Sequence, residues 1–84
     1  MAMYTYKIEQ AIRAVTILHE NQLRQGSVPL PYVSHLFAVM TILRDYTTDE
    51  DTLVAGLLHD TLEDTDYTVE ELQADFGGPV TELV

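Results

Sequence analysis

The sequence predicts an all-α fold, because apolar residues recur at helical spacing through most of the chain. No segment alternates apolar and polar residues with the period of two that is typical of a strand. Residues that start and stop helices divide the pattern into about five segments. With 84 residues, of which 46% are hydrophobic, the chain is limited to one small domain with a thin core.

Apolar spacing predicts the first two helices. The first is expected to extend to about Gln25. Its inner face carries Ile8, Ala11, Ile12, Val15 and Leu18. The stretch from Gly26 to Pro31 is predicted as a loop, because glycine and two prolines cannot continue a helix. The second helix is predicted from Tyr32 to about Asp45. Its inner face carries Val33, Leu36, Phe37, Met40 and Leu43.

A capping pattern predicts the third helix. Thr47 followed by Glu50 fits a capping box, in which each side chain bonds the backbone of the other residue. The helix is expected to run from Thr48 to about Asp64. Its core face carries Val54, Leu57, Leu58, Thr61 and Leu62.

The same capping pattern, Thr68 with Glu71, opens a fourth helix that is predicted to end at the glycine pair beginning with Gly77. Pro79 suits the first turn of a fifth helix. Only a few residues of that helix precede Val84, and so short a helix is unstable alone. We therefore expect the 84 residues to form the N-terminal portion of a single larger helical domain.

The charges are distributed unevenly along the chain, whose net charge is −10. The four basic residues, Lys7, Arg13, Arg24 and Arg44, all precede Asp45, whereas all carboxylates except Glu9 and Glu20 lie from Asp45 onward. The acidic half disfavours a nucleic-acid polymer as a partner and favours a multivalent cation.

Composition also bounds the location of the protein. The longest apolar run, from Leu53 to Leu58, is too short to span a bilayer, so no membrane partner is expected. Residues 1–10 lack the basic start and apolar stretch of a signal peptide. The chain has no cysteine, so disulfides and thiolate metal sites are excluded. A cytoplasmic location is the default expectation.

The segment GLLHDTLEDT, residues 56–65, holds the residues most typical of chemistry. His59 and Asp60 are followed one helical turn later by Glu63 and Asp64. An imidazole beside a carboxylate suits Mn²⁺, Fe²⁺ or Zn²⁺, and two ligands alone do not make a site. His35, at the start of the second helix, is the candidate third ligand.

A simpler interpretation makes His59 and Asp60 a helix end, where a cationic histidine complements the helix dipole. That dipole would disfavour the acids that follow. Ala55 and Gly56, one turn earlier, leave room for another helix or for an ion to approach closely. His19 lies on the apolar face of the first helix and is predicted to be a buried, hydrogen-bonded structural residue rather than a ligand.

Four segments together resemble a known family. They are LHENQLRQG (18–26), PYVSH (31–35), VAGLLHDTLEDTDYTVEELQADFG (54–77) and PVTELV (79–84). From about Ala11 onward the chain resembles the HD-domain (p)ppGpp hydrolases of the RelA/SpoT group and their Mesh1-like relatives. Those enzymes remove the 3′-pyrophosphate from guanosine tetra- or pentaphosphate, the alarmones of the stringent response.

The resemblance implies a role for six residues. The implied ligands of a divalent metal, most often Mn²⁺, are His35, His59 and Asp60. Glu63 and Asp64 would orient and activate the attacking water, and Arg24 would pack on the guanine base. The family's fourth ligand is an Asp well beyond the Glu-Asp pair, and this sequence has no Asp after Asp75.

Two other functions stay open at this stage. The chain is compatible with a non-catalytic HD-fold module that binds a nucleotide or a protein. It is also compatible with an HD phosphohydrolase of another nucleotide. In either case an incomplete helical core is expected to expose apolar surface, which favours a homo-oligomer.

Overall fold

The computed structural model describes residues 5–26 and 28–84, and it confirms the all-α prediction. Within those residues the chain forms six helices and no strand. They are α1 (Tyr6–Leu18), α2 (Val33–Leu43), α3 (Glu50–Leu58), α4 (Thr61–Asp64), α5 (Val69–Phe76) and α6 (Gly78–Leu83). None of these helices is long and apolar enough to cross a bilayer.

The core is built around α3, which packs against α1, α2 and α6. Its buried members include Val15 from α1, Leu36 from α2 and Val80 from α6, none of which has exposed surface. The apolar spacing that predicted α1 is confirmed by the burial of Ile8, Ala11 and Val15. The inner face predicted for α2 is only partly confirmed, because Phe37 is exposed.

The first helix ends earlier than predicted, at Leu18 rather than near Gln25. After His19 the chain turns, and the backbone N–H of Gln22 bonds the carbonyl of His19 at 3.0 Å. An isolated antiparallel bridge then pairs Leu23 with Pro31 and closes the loop on itself. This pairing spans the loop and has no helical spacing, so helix propensity did not reveal it.

The predicted third helix is divided into α3 and α4, with His59 and Asp60 at the break. Its predicted cap is also wrong. Asp49, not Thr47, caps α3, since its carboxylate accepts the backbone N–H of Thr52 at 3.0 Å. Thr47 instead accepts the backbone N–H of Asp49 at 3.0 Å.

The last two predicted helices are confirmed as α5 and α6. Thr68 and Glu71 form both bonds of the capping box, each of 3.1 Å. Gly77 ends α5 with a φ of +90°, which an L-residue rarely adopts, and Pro79 lies in the first turn of α6.

Several apolar side chains remain exposed among the described residues. On α2, 36% of Phe37 and 60% of Ile42 is exposed, and Leu23 in the loop is 56% exposed. Contiguous exposed apolar surface is typical of interaction sites. The expected homo-oligomer stays a prediction.

Candidate metal centre and adjoining cavity

The three residues predicted as metal ligands meet at one point of the fold. His35 comes from the first turn of α2, while His59 and Asp60 come from the break between α3 and α4. One ligand atom from each of the three lies within 4.8 Å of the other two. His35 and Asp60 are half-buried and His59 is exposed, so the group is open on one side.

His59 caps a helix and faces the candidate centre at the same time. Its Nδ1 lies 2.6 Å from the carbonyl oxygen of Gly56, which can only accept, so Nδ1 carries the proton. Its Nε2 lies 3.0 Å from Asp60 Oδ2, close enough to donate to that carboxylate when it too is protonated. The ring can therefore end the helix through Nδ1 and offer Nε2 to an ion once Nε2 has lost its proton.

Tyr32 is hydrogen-bonded to the Asp60 carboxylate. Its hydroxyl donates a hydrogen bond to Asp60 Oδ2. Burial, followed by the bond to Asp60 and the charges of Asp60 and Asp64, raises the pKa of Tyr32 well above its ordinary value. The hydroxyl consequently keeps its proton and remains a donor to the carboxylate.

The two acids of α4 differ in their surroundings. The carboxylate of Asp64 accepts a 3.4 Å hydrogen bond from the side-chain amide of Gln22, which follows α1. Glu63 is exposed and, among the described residues, makes no side-chain hydrogen bond or ion pair. Both acids are exposed, but Asp64 has this one hydrogen-bond partner, whereas the described residues offer Glu63 none.

A cavity of about 410 Å³ opens beside the ligand group. Its wall includes Arg24 from the loop, His35 from α2 and Asp64 from α4. The guanidinium of Arg24, which lines the cavity, donates to the hydroxyl of Ser34 at 3.4 Å. A planar cation here can stack on an aromatic ring of a ligand.

Gly56 serves helix packing rather than the approach of an ion. A Cβ built on Gly56 would lie 2.4 Å from the Cδ1 atom of Leu43. The missing side chain therefore lets the end of α2 approach α3 closely. The sequence left open whether the small residues make room for another helix or for an ion. At Gly56 the room is taken by a helix.

Sequence reasoning missed Gln22, and it placed Tyr32 only as the first residue of the predicted second helix. Gln22 lies in what looked like the end of a helix, where a glutamine carries no signal of function. The prediction for His19 is confirmed: it is 2% exposed and both ring nitrogens lie near polar partners.

Two imidazoles and a carboxylate fit a borderline divalent cation. The protonated Nδ1 of His59 also fits, because metal-binding histidines usually donate their other ring N–H to a carbonyl or carboxylate. The residues present can thus hold a divalent metal.

Comparison with known proteins places the chain in a family and beside characterised relatives. The HD domain family model matches residues 11–84. Over 78 residues the chain is 47% identical to a GTP pyrophosphokinase of Streptomyces coelicolor, covering 93% of this chain and 9% of that protein. It is 40% identical over 78 residues to the bifunctional (p)ppGpp synthase/hydrolase SpoT of Escherichia coli, covering 93% of this chain and 11% of that protein.

A third relative is the guanosine-3′,5′-bis(diphosphate) 3′-pyrophosphohydrolase of Vibrio cholerae, 48% identical over 66 residues, or 79% of this chain and 9% of that protein. A solved structure, described as a metazoan ortholog of SpoT that hydrolyses ppGpp, matches with a TM-score of 0.91 and 33% identity. That match covers 98% of this chain and 47% of the other. The chain thus spans a small part of the curated relatives and about half of the solved one.

Proposed function

The chain belongs to the HD domain family, and from that premise we propose that it carries the metal-binding part of a hydrolase of guanosine 3′,5′-bis(diphosphate)-type alarmones. The reaction would release the 3′-pyrophosphate group. The observation that carries the proposal is the meeting of His35, His59 and Asp60, with ligand atoms within 4.8 Å of one another, beside a cavity of about 410 Å³. Relatives named as hydrolases of this alarmone support the substrate class.

We assign the metal ligands to His35, His59 and Asp60, and the preferred ion to Mn²⁺. When bound, a divalent cation supplies positive charge that polarises a phosphoryl oxygen and acidifies water. It also offsets the repulsion between an anionic substrate and the acidic half of the chain.

The remaining roles fall to Asp64 and Arg24, which line the cavity, and to Glu63 on α4. Asp64, hydrogen-bonded to Gln22, orients the attacking water and accepts its proton, and the exposed carboxylate of Glu63 assists. Arg24 packs its guanidinium plane on the guanine base at the cavity mouth. Cytoplasmic location and the lack of nucleic-acid and membrane partners stay predictions from composition.

Metal binding is tested by titrating Mn²⁺ into the purified chain and following its thermal unfolding. A free ion concentration 100 times the Kd stabilises the folded state by about 2.7 kcal/mol, so the melting temperature should rise. His59→Ala should lose this rise, while Asp66→Asn, which removes an exposed acid outside the site, should keep it. No rise in the unmodified chain, or an equal rise in His59→Ala, would refute the metal site.

Hydrolysis is tested separately by measuring pyrophosphate release from the alarmone with Mn²⁺ present. Asp64→Asn should lower the rate by about 10²- to 10⁴-fold, the usual contribution of a general base. Saturable binding of the nucleotide without any release of pyrophosphate would favour the non-catalytic alternative.

A further inference from the structure

One buried histidine contacts residues beside the candidate metal centre but is not one of its proposed ligands. His19 is 2% exposed and forms the C-terminal cap of α1. Its Nδ1 lies 2.7 Å from the side-chain carbonyl oxygen of Gln22, and its Nε2 lies 3.4 Å from the hydroxyl of Thr61. The fold therefore fixes this ring on both edges, although the proposed function gives it no task.

The first bond determines which way the Gln22 amide points. A carbonyl oxygen only accepts, so Nδ1 of His19 carries the proton and donates it. The amide nitrogen of Gln22 must then face the other way, where it donates to Asp64 Oδ2 at 3.4 Å. His19 thus orients Gln22, and Gln22 in turn holds Asp64.

The face of the same ring supports a second residue. The ring centroids of His19 and Tyr32 are 5.1 Å apart, and those of Tyr32 and His35 are 5.5 Å apart. Tyr32, in contact with both imidazoles, donates its hydroxyl to Asp60 Oδ2. The position of the Asp60 carboxylate therefore also depends on His19.

We propose that His19 anchors two positioning residues, Tyr32 and Gln22, which hold the carboxylates of Asp60 and Asp64 in the orientation the site requires. The inference rests on the proposed function, which makes Asp60 a ligand and Asp64 a water-orienting acid. Both carboxylates lie on the short segment around α4, and that of Asp60 is also 3.0 Å from His59 Nε2. Loss of a residue that hydrogen-bonds a metal ligand typically lowers metal affinity by about 10- to 100-fold.

The role of Tyr32 in holding Asp60 is tested by measuring the Mn²⁺ dissociation constant of the 84-residue chain by electron paramagnetic resonance. Tyr32→Phe keeps the ring and removes only the donor, so we expect the Kd to rise about 10- to 100-fold. The matched control is Tyr46→Phe, which alters a tyrosine that is 84% exposed and should leave the Kd unchanged. Circular dichroism of both variants checks that the helices are intact.

The outcomes separate this inference from the proposed function. Mn²⁺ binding by the unmodified chain together with an unchanged Kd in Tyr32→Phe would overturn the inference and leave the proposed metal site standing. No Mn²⁺ binding by the unmodified chain would overturn both.

The hydrogen bond between His19 and Gln22 can be tested without metal and without measuring activity. Imidazole ¹⁵N shifts in the metal-free chain should show His19 protonated on Nδ1, and Gln22→Leu should shift the ring toward the other tautomer. Gln73→Leu, at an exposed position on α5, is the control and should leave the shifts unchanged. A proton on Nε2 alone in the unmodified chain would refute this hydrogen bond.

Discussion

α3 and α2 both deliver residues to the candidate metal centre, yet the protein buries them very differently. Five of the nine residues of α3 are buried, whereas Leu36 is the single buried residue among the eleven of α2. A helix that is apolar on all sides is normally covered on all sides. α2 is such a helix by composition, and yet Ile42 remains 60% exposed. Apolar content alone therefore does not identify the core helix of this chain.

The two helices also begin differently. α3 is capped by the Asp49 carboxylate, and an ion pair of 2.7 Å between Lys7 and Asp51 ties its first turn to α1. α2 begins at Val33, and the side chain of Tyr32, at its N-cap position, makes no capping bond. We infer that α3 provides the rigid frame of the site and that α2 carries His35 at a less firmly held edge.

The largest expected effect on stability comes from truncating a buried side chain of α3, compared with truncating an exposed one of α2 in a separate variant. Leu57→Ala in α3 should lower the free energy of unfolding by about 2–5 kcal/mol, because it leaves a cavity in the core. Ile42→Ala in α2 should change it by no more than about 0.5 kcal/mol, as is usual for exposed positions. Urea denaturation measures both, and similar losses would contradict the assigned difference between the helices.

Much of the fold could be predicted from local pattern, because its helices have apolar faces and chemically distinct ends. The capping box of Thr68 and Glu71 was correctly predicted in this way. The cap of α3 was not, since Thr47 and Asp49 are both good capping residues and only the packing of α3 selects between them. Local signals that compete within two residues cannot be separated by propensity.

The candidate site could likewise be anticipated only in part from local sequence pattern. The predicted ligands come together because they lie at the facing ends of adjacent helices. The contacts of Tyr32 with Asp60 and of Gln22 with Asp64 join residues 28 and 42 positions apart. Contacts at such separations depend on how the loop closes through Leu23 and Pro31, and no local pattern encodes that closure.

A second test concerns the close approach of the two helices at Gly56. Gly56→Ala should destabilise the protein by about 1 kcal/mol, because the new methyl group forces the side chain of Leu43 to move. In a Leu43→Ala background the same change should stabilise by up to about 1 kcal/mol, since alanine is the better helix former. A double-mutant cycle measured in urea gives both values, and the same sign in both backgrounds would exclude this contact as the cause.

A smaller effect on stability is expected from the ion pair between Lys7 and Asp51 at the start of α3. Lys7→Met should lower the free energy of unfolding by about 0.2–1 kcal/mol, because both partners are partly exposed and solvent screens their attraction. The loss should shrink as salt is raised. Unfolding of the unmodified chain and of Lys7→Met at low and high salt measures this; a loss independent of salt would indicate packing of the lysine stem instead.

The smallest effect is a dependence on pH at the start of α3. Side-chain and backbone hydrogen bonds from Thr52 lower the pKa of Asp49 below its ordinary value of 3.8. The charged carboxylate thus stabilises the folded state above that value, and the contribution is lost as the pH falls through the lowered pKa. Asp49→Asn keeps a capping oxygen that does not titrate in this range. The stability difference between the two proteins should therefore be constant from pH 5 to 7 and shift in favour of Asp49→Asn in more acidic solution. A difference that stays constant down to pH 2 would mean that Asp49 does not cap α3 as a carboxylate, and the contrast between the capped α3 and the uncapped α2 would lose one of its supports.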